Sequence, residues 1–292
     1  MSVTSATPET VSLRSLVGAV RAGKRFACLT CYDATTATWL ERAGIEVLLV
    51  GDTAAEMILG LPSTIHAPLD FMVSITRAVK RGAPTRLVMA DMPFMSYQAN
   101  EDDALRNAAR FLTEGMADCV KVEVDRTWAP LVGRMVRAGI PVVAHVGSRP
   151  QQTKVHGGCF SVGRTAEQAV SLLHDAAALE AAGACMLLVE ACPGEVTSRI
   201  VERATIPVIG CGAGPACHGQ VIVLHDLLGL SSWQPGFAKP MASLGASLQQ
   251  TAQAWRDRVH QGHIDNTFNM RDSEAERLRL LLQDGAQTHA KA

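Results

Sequence analysis

Five apolar runs in this sequence each finish on a titratable side chain. "EVLLVGD" ends at Asp52, "RLVMAD" at Asp91, "CVKVE" at Glu123, "PVVAH" at His145 and "CMLLVE" at Glu190. Carboxylates brought together repel one another, and an unpaired buried carboxylate is strongly disfavoured. A divalent cation resolves both problems, and oxygen-only ligands suit a hard ion such as Mg2+. A 2-oxo acid suits such a site, because its carboxylate and keto oxygens chelate together while the cation acts as a Lewis acid that stabilises an enolate. Lys121 precedes Glu123 by two residues, so on a strand both point the same way and Lys121 can face a negatively charged substrate. Glu190 belongs to a different run and is free to act as general base toward a carbon acid.

Each residue alone also has a plain structural explanation. A strand-end Asp is a good cap for the helix that follows. Lys121 could simply pair with Glu123, and His145 could be a satisfied polar core residue. Four acids at the ends of nearby runs, with one Lys and one His, are harder to account for in that way.

The elements that would position them alternate. Strand-like runs cover 25–32, 46–52, 86–91, 119–124, 141–147, 185–190, 206–214 ("IPVIGCGAG") and 221–229 ("VIVLHDLLG"). They are rich in Val, Ile and Leu with little polar alternation, as parallel strands covered on both faces require. Amphipathic helical patterns lie between most of them, such as "EDDALRNAARFLTEG" and "TAEQAVSLLHDAAALEAAG", and these close on glycine. Eight strands separated by helices predict an α/β fold, a (β/α)8 TIM barrel in a single domain. A doubly wound sheet is the alternative, but no G-x-G-x-x-G follows the first strand. In a barrel the C-terminal strand ends carry the active site, which places all five titratable side chains around one mouth. The expected organisation is a flexible leader over 1–11, the catalytic barrel over 12–268 and a polar C-terminal tail over 269–292.

Composition narrows the class. With 292 residues, 48% hydrophobic, 19% charged and a net charge of −1, the chain is globular and has no basic stripe for a nucleic-acid partner. No run reaches the roughly 18 apolar residues of a membrane span. The N-terminus lacks a basic segment followed by an apolar one, so the expected location is cytoplasmic. Of the eight cysteines, Cys28, Cys119, Cys185 and Cys211 fall inside apolar runs and read as small core residues of a reduced protein. The C-x-x-C of Cys28 and Cys31 sits in a strand-like run without partner ligands.

In order along the chain, "TCYDATTATWLERAGIEVLLVGD", "RAVKRGAPTRLVMADMPFMSY", "VKVE", "AHVG", "LLVE" and "IPVIGCGAG" resemble the ketopantoate hydroxymethyltransferase family over about residues 12 to 268. The resemblance implies transfer of a hydroxymethyl group from 5,10-methylenetetrahydrofolate to 3-methyl-2-oxobutanoate, giving 2-dehydropantoate for pantothenate synthesis. Carried over by position, it implies Mg2+ at Asp52, Asp91 and Glu123. It assigns Asp52, Thr53, Asp91, Lys121 and His145 to the 2-oxo acid, and Glu190 to proton abstraction. It also implies a large homo-oligomer, a decamer. The mouth departs from the family pattern. "TAAEM" replaces Ser-Leu-Gly after Asp52, "GSRPQ" replaces Gly-Leu-Thr-Pro-Gln, and "GGCFSVGRT" replaces a Gly-Gly-Tyr loop.

The alternative is a Mg-dependent 2-oxo acid lyase or mutase similar to the phosphoenolpyruvate mutase and isocitrate lyase group. Lyases of that group usually carry a catalytic cysteine in a K-K-C-G-H-like loop, and no such segment occurs here. A non-enzymatic subunit that binds metabolites is a third reading, against which stands the retention of Asp52, Asp91, Lys121, Glu123, His145 and Glu190 together.

Overall fold

Eight parallel strands hydrogen-bond in chain order and close on themselves. They are β1 (Phe26–Thr30), β2 (Val47–Val50), β3 (Leu87–Asp91), β4 (Cys119–Glu123), β5 (Val142–Gly147), β6 (Met186–Glu190), β7 (Val208–Cys211) and β8 (Gly219–Ile222). The structure, a computed structural model, is therefore the (β/α)8 barrel that the alternation predicts. It describes residues 10–264 and 268–289. Residues 1–9 of the expected leader lie outside the described residues, and the Val11 N–H donates to the Thr85 carbonyl at 2.8 Å.

Strand periodicity separates two apolar populations. Cys28, Leu49, Met89, Cys119, Val143, Met186, Leu188, Ile209 and Val221 form one buried cluster, the barrel interior. The alternate residues, among them Leu48, Val88, Val120, Ala144 and Leu187, pack in a second cluster with Ala37, Met72, Phe111, Val132 and Leu179 of the surrounding helices. Polar caps start several of those helices. Asp33 accepts the Thr36 N–H at 2.8 Å before Ala34–Arg42, and Asn100 accepts the Asp103 N–H at 2.8 Å before Glu101–Thr113. Closure depends on Gly219, which pairs with Phe26. A Cβ there would stand 2.3 Å from the Phe26 ring, so a side chain would wedge the first and last strands apart.

The eighth strand corrects the expectation over 221–229. It begins at Gly219, ends at Ile222, and is followed by a helical turn over Leu224–Leu227. The Leu224 N–H leaves the ladder and donates to Thr30 Oγ1 at 2.9 Å. An apolar run of this length cannot be assigned to strand or helix by periodicity alone.

The chain forms two compact units, Met1–Ala242 and Ser243–Ala292. The barrel strands all lie in the first. The second contains the helices Leu244–His260 and Asp272–His289, so most of the polar tail is helical. Among the described residues no helix is long and apolar enough to cross a membrane. All eight cysteines are free.

Candidate active site at the barrel mouth

The inward rows of the barrel change from apolar to polar at the C-terminal strand ends. Met89 is followed two residues on by Asp91, Cys119 by Lys121 and then Glu123, Val143 by His145, Leu188 by Glu190, and Ile209 by Cys211. Each polar side chain therefore inherits its inward direction from the strand below it. Asp52 arrives differently. The row through Leu49 continues at Gly51, and the turn after β2 swings Asp52 inward. A Cβ on Gly51 would lie 2.8 Å from Thr53 Oγ1, so the close turn needs glycine there.

These side chains line one cavity of about 230 Å³. Asp52, Thr53, Asp91, Lys121, Glu123, His145 and Glu190 all face it, so every residue singled out from the sequence converges on one place. Met57, Trp233, Pro235 and Phe237 supply an apolar part of its wall.

The polar groups are tightly interlocked. Lys121 Nζ lies 3.1 Å from Asp91 Oδ1 and 3.1 Å from His145 Nδ1. An ammonium can only donate, so Nδ1 accepts and the imidazole carries its proton on Nε2, 3.5 Å from Glu190 Oε2. The Asp52 N–H donates to Asp91 Oδ2 at 3.1 Å. Burial raises the Asp91 carboxyl to about 6 against the opposing charge of Lys121. Burial also holds Glu123 well above the ordinary carboxylate range, and it raises Glu190 to about 7. Burial works against the Lys121 ammonium, but Asp91, Glu123 and Asp52 outweigh it and raise its pKa. Burial, aided by Lys121, pushes His145 well below its usual value and keeps it neutral. The acids thus outnumber the cations that face them, and the site is tuned to take up protons or a cation.

Three contributors escaped the sequence reading. Gln151, in the turn after β5, donates from Nε2 to Asp52 Oδ2 at 2.9 Å and from its backbone N–H to Glu123 Oε2 at 2.9 Å. The Tyr97 hydroxyl accepts the Glu123 N–H at 3.0 Å, and the Tyr32 hydroxyl lies 2.7 Å from Thr53 Oγ1. Their segments, "GSRPQ", "ADMPFMSY" and "YDA", were visible as motifs, but nothing local says which atoms they reach.

The donor chemistry suits a hard cation. Asp91 Oδ1 is buried without a hydrogen bond, its contact with Lys121 being an ion pair only. Among the described residues no three His, Cys, Asp or Glu side chains already stand close enough to enclose an ion unaided. Carboxylate oxygens of this kind suit Mg2+, which also keeps several of its waters.

Residues 10–266 match the pattern of the ketopantoate hydroxymethyltransferase family. The chain belongs to that family. It is 40% identical over 281 residues to the 3-methyl-2-oxobutanoate hydroxymethyltransferase of Hyperthermus butylicus, covering 95% of this chain and 97% of that one. It is 43% identical over 261 residues to the enzyme of the same name from Syntrophobacter fumaroxidans, covering 88% and 93%. Among solved structures, a phosphonopyruvate hydrolase in complex with oxalate and Mg2+ superposes with a TM-score of 0.61 at 13% identity, covering 96% and 97%. A 2,3-dimethylmalate lyase of the phosphoenolpyruvate mutase and isocitrate lyase superfamily gives 0.56 at 18% identity, covering 97% and 99%. At such identities the likeness is one of fold. The relatives that share sequence carry the transferase name, which favours it over the lyase or mutase alternative.

Proposed function

We propose that this family member transfers a hydroxymethyl group from 5,10-methylenetetrahydrofolate to C3 of 3-methyl-2-oxobutanoate, with Asp52, Asp91 and Glu123 as the residues that hold Mg2+. The observation that carries this reading is a single cavity in which three carboxylates gather around Lys121 while Glu190 stands apart beside His145. When bound, Mg2+ supplies Lewis-acid polarisation of the 2-oxo group. Lys121 attracts the substrate carboxylate, and Thr53, oriented by Tyr32, offers it a hydroxyl. Glu190 removes the C3 proton, and the C–H electron pair moves into the enolate. The methylene carbon then exchanges its two bonds to folate nitrogens for one bond to C3 and one to the oxygen of a water molecule, and the C3 proton and one proton of that water end on the two nitrogens released. A carboxyl raised to about 7 is a stronger base than an exposed glutamate and is still largely ionised at pH 8. The neutral His145 stands beside that carboxylate, its Nε2 3.5 Å from Glu190 Oε2 without a hydrogen bond between them, and does not take the proton. Cytoplasmic location and decameric assembly belong to the same proposal.

Deuterium exchange at C3 of 3-methyl-2-oxobutanoate, followed by NMR with and without Mg2+, tests the enolate step without any acceptor. Exchange that requires Mg2+ is the expected result. A protein that exchanges nothing with Mg2+ present overturns the reading.

A further inference from the structure

Gln151 lies in the short turn Pro150–Gln152 after β5 and is 3% exposed. The turn is tied down by an ion pair between Arg149 Nη1 and Asp125 Oδ2 at 2.7 Å. Every hydrogen-bonding position of the Gln151 amide is used. Nε2 donates to Asp52 Oδ2 at 2.9 Å and to the Met92 carbonyl at 3.0 Å. Oε1 accepts from the Tyr97 hydroxyl at 3.0 Å and from Gln98 Nε2 at 3.0 Å. The reversed amide would aim oxygen at a carboxylate and a carbonyl, so the surroundings dictate one orientation. The backbone N–H of the same residue donates to Glu123 Oε2 at 2.9 Å.

Resting on the function proposed above, we infer that Gln151 is the positioning residue of the metal and substrate site. It fixes Asp52 and Glu123 by taking one oxygen of each, which leaves Asp52 Oδ1 and Glu123 Oε1 for the ligand. An amide suits this task because it satisfies a carboxylate oxygen without adding a positive charge that would repel a divalent cation. A lysine or arginine here would compete with the ion. A shorter asparagine would fall about one methylene short of Asp52. Partners of this kind set the orientation and basicity of ligating carboxylates, and their loss typically costs about 10- to 100-fold in metal affinity or activity.

The test uses the full chain and two readouts, Mg2+ affinity by isothermal titration and C3 deuterium exchange. Gln151→Met keeps the length of the side chain and the backbone N–H to Glu123 but removes both Nε2 donations. It should weaken Mg2+ binding and slow exchange by about 10- to 100-fold, and lower the melting temperature as well, because the buried partners of the amide are left unpaired. A double-mutant cycle separates positioning from general damage. In an Asp52→Asn background Gln151→Met should add little further loss, because the group it positions is already gone. In a Glu190→Gln background its effect on Mg2+ affinity should persist in full. Should Gln151→Met fail to fold, Tyr97→Phe removes the hydroxyl that orients the amide and should shift both readouts in the same direction by a smaller factor. Wild-type Mg2+ affinity in Gln151→Met or Tyr97→Phe would overturn the inference, as would losses that simply multiply with those of Asp52→Asn. A wild-type protein that binds Mg2+ but exchanges no deuterium would overturn the proposed function alone, since the titration still reads the role of Gln151.

Discussion

Glu190→Gln should make the protein more stable and less active at once. Burial raises the Glu190 carboxyl from 4.5 to about 7 in the folded chain. That rise of roughly 2.5 pH units corresponds to about 3 kcal/mol at about 1.4 kcal/mol per unit. The side chain is 21% exposed, so solvent screening makes this an upper figure. The sign follows from proton binding. Between pH 4.5 and 7 the folded state holds more protons at this position than the unfolded state, so stability falls as pH rises through that window. Glutamine carries no charge at any pH and escapes the cost. In metal-free buffer at pH 8, Glu190→Gln should therefore unfold at higher urea or temperature than wild type, by up to about 3 kcal/mol, and the two should converge near pH 4. In the presence of Mg2+ the same variant should lose C3 deuterium exchange by about 10²-fold or more, the scale of a positioned base. The acid limb of the wild-type exchange profile, centred at or below about 7 because the cation lowers the value, should vanish with it. A variant equally destabilised at pH 4 and pH 8 would refute the burial argument. Exchange at the wild-type rate would remove Glu190 from its role.

Three further outcomes follow from the same geometry. Asp91→Asn should weaken Mg2+ binding strongly in isothermal titration, because it removes a ligand charge while preserving shape; unchanged affinity would exclude Asp91 as a ligand. Lys121→Met removes the ammonium that lies 3.1 Å from both Asp91 and His145, and should raise the KM for the 2-oxo acid by about 10- to 100-fold, the range of a charged hydrogen bond. Truncation after Met270 removes the helix Asp272–His289 and should leave the circular dichroism, solubility and oligomer size of the protein unchanged; a change in oligomer size by light scattering would make that helix an assembly element.

The sequence by itself determined the barrel and most of the polar ring. Apolar runs of Val, Ile and Leu bounded by amphipathic helices can be covered on both faces only in a parallel sheet, and two-residue periodicity then fixes the direction of every strand side chain. That is why Lys121 and Glu123 could be placed on one face, and why Asp91, His145 and Glu190 could be placed at one mouth, from spacing alone. Only the tertiary structure decided what happens where that periodicity stops. Asp52 enters through a turn that Gly51 makes possible, out of step with the row below it. β8 begins at Gly219 because closure against Phe26 selects a residue without a side chain, whereas the apolar run beginning at Val221 suited a strand or a helix equally. Gln151 reaches Asp52 across 99 positions of sequence, and that contact exists only once β2 and β5 stand in the same closed barrel. Side-chain direction along a strand is a local property of the backbone. Contact between loops depends on closing the sheet, and no single segment encodes it.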